Sequence, residues 1–79
     1  MTEPELLRVF VNGAGVAVPR GATVIDAVRA ADPVEAALVE AGTRAVTDSQ
    51  GLPVDARATL ANGAVLRTVA ARTPRAEDA

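Results

Sequence analysis

PRGATVIDAVRAADPVEAALVEAG, residues 19–42, decides the fold, because it is the one stretch with helical periodicity and the rest divides into short strands that need something to pack on. Thr23 is an N-cap residue with Asp26 three positions on, and a carboxylate in a first turn sits favourably against the positive end of the helix dipole. The helix therefore starts at Val24. Val24, Ile25, Val28, Ala31, Val34, Ala37, Leu38 and Ala41 recur at the three-to-four spacing of one buried face, with Asp26, Arg29, Glu35 and Glu40 on the outer face. Val28 and Leu38 are the expected core residues. Pro33 interrupts the run. Asp32 before it and Glu35 after it form a second capping pattern with proline at the first helical position, which reads as two short helices or one helix kinked at Pro33. Gly42 ends the segment as a left-handed cap.

Upstream, Leu6 to Val11 is a strand by its β-branched and aromatic content, Asn12-Gly13 is a tight hairpin signal, and a second strand follows over Val16 to Val18. On the first strand Leu7, Val9 and Val11 share one face. Leu6, Arg8 and Phe10 share the other, which the arginine marks as the more exposed. Downstream, Arg44 to Thr47 is a short strand and Asp48-Ser49-Gln50-Gly51 a turn. Leu52 to Asp55 is extended, but its proline bars it from a central ladder position. Asn62-Gly63 makes a second tight turn into Ala64 to Ala70, the last strand, expected beside the first. Residues 1–5 read as frayed and 71–79 as a flexible, solvated tail, leaving one domain over 6–70.

The composition removes whole classes of chemistry. A chain of 79 residues has room for one core and no deep cleft. With no cysteine and no histidine there are no disulfides, no thiolate or imidazole metal ligands and no histidine general base. Ser49, the only serine, has nothing to activate it. Asp48, Ser49 and Asp55 could be read as an oxygen-ligand cation site, but turn chemistry explains them better. Gly13 and Gly15 fall inside a hairpin rather than between strand and helix, so they do not form a phosphate cradle. Arg8, Arg44, Arg57, Arg67 and Arg72 could gather into a basic patch, but a net charge of −2 and a single aromatic, Phe10, argue against nucleic-acid binding. No apolar run approaches a membrane span, and the acidic start MTEPELL is unlike a signal peptide, so a cytoplasmic location is expected.

Strand, strand, helix, short strand, turn-rich segment, strand is an α+β order with one helix laid across a small mixed sheet. With VFVNGAGVAVPRGATVIDAV at the front and PVDARATLANGAVLRTV at the back, it resembles the β-grasp superfamily of ubiquitin-like proteins, sulfur carriers, TGS domains and plant-type ferredoxins. The ferredoxin-type members hold a cluster by cysteines, which this chain lacks. The carriers and modifiers end in Gly-Gly, where this chain has Ala70, Ala71 and Arg72. The resemblance implies a non-enzymatic ubiquitin-like protein that needs no cofactor and docks onto a protein partner, an adenylating or other enzyme. The surface would be the sheet face or C-terminal segment: Arg8, Phe10, Arg67, Ala70, Ala71 and Arg72. Its alternatives are a modifier or sulfur-carrier-like precursor activated after C-terminal trimming, and a TGS-like module binding RNA or nucleotide. No membrane or metal partner is expected.

Overall fold

The structure is a computed structural model that describes residues 5–71. Four strands and two helices follow in the order β1 (Leu6–Val11), β2 (Ala14–Pro19), α1 (Val24–Ala31), α2 (Pro33–Glu40), β3 (Arg44–Thr47) and β4 (Val65–Ala70). Asn12 and Gly13 both take left-handed backbone, φ 53° and 86°, the requirement of a two-residue turn whose twist matches its strands. β1 and β2 therefore pair antiparallel from Val11↔Ala14 to Leu6↔Pro19. β4 lies beside β1 in parallel, with Phe10 opposite Val65 and Val11 opposite Leu66, and β3 closes the sheet antiparallel to β4. The resulting order is β2-β1-β4-β3.

Two separate helices replace the single helix, straight or kinked at Pro33, of the expected fold class. Asp32 is extended, φ −158° and ψ 99°, so it ends α1 and caps α2 at once. The residue before proline is pushed out of the helical region by the proline ring. Its N–H closes α1 on the Val28 carbonyl at 2.7 Å, while its Oδ1 accepts from the Val34 and Glu35 N–H groups. At α1's start, Thr23 N–H donates to Asp26 Oδ2 at 3.0 Å. Gly42, at φ 85°, ends α2 with its own N–H on the Val39 carbonyl and that of Thr43 on the Leu38 carbonyl, the paired bonds of a left-handed helix cap.

Both helices cover one face of the sheet. Val9, Val11, Val18, Val24 and Val28 are the largest fully buried side chains, so a chain with one aromatic centres its core on valine, with Leu7, Leu60 and Leu66 around it. The break at Asp32 resets the helical phase, which corrects the expected face of α2. Ala36 is buried and Val39 packs beside it. Leu38 is only half-buried and stands outside the core cluster, and Val34 is 67% exposed. Glu35, expected on the outer face, instead turns inward to accept from Thr68 Oγ1 at 2.7 Å, with Arg44 Nε at 3.5 Å.

The segment between β3 and β4 is held mainly by backbone. Val54 N–H donates to the Val46 carbonyl beside an isolated Thr47↔Pro53 bridge, which covers the outer edge of β3. Farther on, the Ala58 and Ala56 carbonyls accept from Val24 and Ile25 N–H at 3.0 and 2.9 Å. Those two free donors of α1 are thus satisfied by backbone. Of the segments expected as a frayed start, 1–5, and a flexible tail, 71–79, residues 1–4 and 72–79 lie outside the described residues. Glu5 and Ala71 at the borders are both bonded, the Glu5 carbonyl to Arg20 N–H and the Ala71 N–H to the Thr43 carbonyl. Among the described residues no helix is long and apolar enough to cross a membrane.

Candidate functional site, the uncovered sheet face

Because strand residues alternate between faces, the register fixes what the uncovered face displays. Leu6, Arg8 and Phe10 of β1 stand there, across from Pro19, Ala17 and Gly15 of β2. Val65, Arg67 and Val69 of β4 continue the face, across from Thr47 and Ala45 of β3. Leu6, Val65 and Val69 are exposed, 57%, 40% and 41%, and Phe10 is half-buried. An apolar stripe of this kind without a covering layer is the unusual feature of a small domain's surface.

Gly15 shapes its centre. A Cβ built there would lie 3.0 Å from Arg8 Nη1 and 3.4 Å from Phe10 Cε1, so the guanidinium and the ring converge over the space that the glycine leaves. Arg67 stands within the stripe, between Val65 and Val69. Neither Arg8 nor Arg67 has an ion-pair partner among the described residues. Arg29, by contrast, is paired with Asp26 and Glu40.

Of the expected partner-binding residues, Arg8, Phe10 and Arg67 come together on this face. Ala70 lies on the helix side opposite Arg44, and Ala71 follows β4 with its N–H on Thr43. Arg72 lies outside the described residues. The remaining arginines do not join a patch, since Arg44 faces Glu35 and Arg57 sits in the loop before Ala58, in a turn where Asp55 Oδ1 accepts its N–H. Sequence reading put Leu6 on this face without counting it as a binding residue, and missed Val65 and Val69. Their signal is the alternation in VLRTVA, whose odd positions place Val65, Arg67 and Val69 on one face.

Chemistry elsewhere is sparse. Asp48 Oδ1 accepts from Gln50 and Leu52 N–H at 2.8 and 3.0 Å, so both aspartates of the conceivable cation site serve their own turns. Among the described residues no three potential ligands gather to hold a metal. Among the described residues Asp26 is the one carboxyl held clearly below its usual range, first by the bond from Thr23 N–H and then by Arg29, which is helix capping. Two clefts, about 450 and 440 Å³, are lined by Leu7, Arg20, Leu60 and Asn62, and by Ile25, Val39, Glu40 and Arg57. Neither holds a nucleophile beside a base. No family model matches the chain, and no curated protein and no solved structure shows significant similarity to it.

Proposed function

We propose that the chain is a β-grasp, ubiquitin-like domain that acts without catalysis, as an adaptor or accessory subunit docking onto a partner enzyme. The observation that supports this reading is the uncovered stripe of Leu6, Phe10, Val65 and Val69, interspersed with Arg8 and Arg67, on a sheet whose other face carries both helices. A half-buried aromatic and exposed aliphatic groups interspersed with arginine suit a protein interface, where apolar anchors supply affinity and charges steer the encounter. The β-grasp reading rests on the β1-β2 hairpin, the following helices and the parallel return of β4 beside β1.

The partner enzyme is to be sought among the products of neighbouring genes, and binding measured by calorimetry with purified proteins. Phe10→Ser and Val65→Ser are expected to weaken binding at least tenfold while leaving the fold intact by circular dichroism. Arg57→Ala, away from the face, is expected to leave binding unchanged. A partner that binds both face variants as tightly as the parent chain overturns docking through this face.

A further inference from the structure

The two edges of the sheet are finished differently. The outer side of β3 is covered by Pro53 and Val54. β2, at the other side, has no such cover among the described residues. On β1, the Phe10 and Asn12 N–H groups point to β4, reaching the Ala64 and Leu66 carbonyls at 2.8 and 2.9 Å, so Leu7, Val9 and Val11 are the residues that bond to β2. Their opposites, Val18, Val16 and Ala14, spend their N–H and C=O groups inside the hairpin. Gly15 and Ala17 therefore direct theirs away from the sheet. Natural edges are usually guarded by a charge, a bulge or an internal proline. AGVAV, residues 14–18, carries none of these. Pro19 ends the strand, and its carbonyl is taken by Ala22 N–H.

We propose that β2 is a self-pairing edge: two copies of the chain join antiparallel through it, about a two-fold axis at Val16, into one eight-stranded sheet. The free groups choose this register. Centred on Val16, Gly15 of each copy faces Ala17 of the other, and both pairs exchange N–H and C=O, so all four outward donors are used. Centred on Ala17, Gly15 would face Pro19, which has no N–H. Centred on Gly15, Ala17 would face Gly13, inside the turn. Side chains agree with the first register. Across the uncovered face the row runs Arg8, Ala17, then the second copy's Gly15 and Phe10, so the smallest residues lie at the seam. On the helix side the half-buried Val16 meets its own copy, and no residue of β2 brings like charges together. The covered edge of β3 stops growth at two. A seam this narrow falls short of the area of stable dimers, so association is weak and depends on concentration.

The test needs no partner protein and is separate from docking through the sheet face. Sedimentation velocity over a concentration series is expected to show reversible monomer–dimer exchange. Amide hydrogen exchange followed by NMR is expected to protect Gly15 and Ala17 in concentrated samples and release them on dilution, with Val16 protected in both. Ala17→Pro deletes the outward N–H without touching a bond to β1, and should weaken dimerisation by more than about tenfold. A chain that is monomeric at every concentration overturns the proposal. So does a dimer in which Gly15 and Ala17 exchange as freely as in dilute protein, whether or not Ala17→Pro folds.

Discussion

Asn12 and Thr68 hold each other twice: Asn12 Nδ2 donates to Thr68 Oγ1 at 2.9 Å, and Asn12 Oδ1 accepts the Thr68 N–H at 3.0 Å. The same Thr68 hydroxyl donates to Glu35. The tip of the first hairpin is thereby tied through β4 to α2, although the three residues are far apart in sequence. Asn12→Gly keeps the left-handed turn but removes both bonds, and is expected to cost about 0.5–1.5 kcal/mol in urea unfolding. Asn12→Ala should cost more, because it adds strain at a positive φ. Equal losses for the two variants would show that the side-chain bonds carry all of the effect.

The two helix positions that look alike in the sequence should respond differently. Val28 is fully buried, and Val28→Ala is expected to cost about 2–3 kcal/mol from lost burial and the cavity left behind. Leu38 is half-buried beyond the core, so Leu38→Ala should cost about 1 kcal/mol. Chemical denaturation of both decides it, and the reverse order would put Leu38 back in the core.

Asp26 gives a signed pH dependence. Its carboxyl is held low by Thr23 N–H and then by Arg29, so it binds a proton less readily folded than unfolded. Its contribution is present above the usual aspartate value and is lost as the pH falls through the folded one. The advantage of the parent over Asp26→Asn in melting temperature should therefore be full near neutral pH and shrink in acid. An advantage that does not change with pH would remove the charge from the explanation.

Trimming the chain after Ala71 should not create a substrate for adenylation. Ala71 N–H is bonded to Thr43, so a new carboxylate there is tied to the sheet and lacks the thin, free lead that a Gly-Gly end provides. No nucleotide exchange is expected with a purified activating enzyme, for the full or trimmed chain. Exchange with the trimmed chain alone would favour the carrier reading over the adaptor.

Local signals were strong wherever one residue type satisfies one backbone demand. Asn12-Gly13, Thr23 with Asp26, Asp32-Pro33 and Gly42 each pointed to a turn or cap, and the structure has one at each place. The placement of Leu7, Val9 and Val11 inward followed from strand alternation. The face of α2 did not, because PVEAALVE is apolar on nearly every side and its phase is set by the break at Asp32. The inward turn of Glu35 was equally hidden, since its partners Thr68 and Arg44 come from strands whose positions only the tertiary fold supplies. For the uncovered face, Arg8 and Phe10 could be read from one strand. Arg67 was expected beside them, whereas the membership of Val65 and Val69 needed the register in the pairing of β4 with β1.

That pairing also decides how the domain meets tension. β1 and β4 are adjacent and parallel, so the chain enters the sheet at one end, near Glu5, and leaves it at the other, near Ala71. A pull on those two ends slides the strands past each other along their length. The bonds from Phe10 and Asn12 to Ala64 and Leu66, that from Gly63 to Arg8, and the Asn62 side chain on Arg8 N–H then bear the load together rather than in succession. A pull between Leu6 and Pro19, at the open end of the hairpin, would instead peel β2 from β1 one pair at a time. The fold is thus stiff along the direction of its own chain and weak at its hairpin edge.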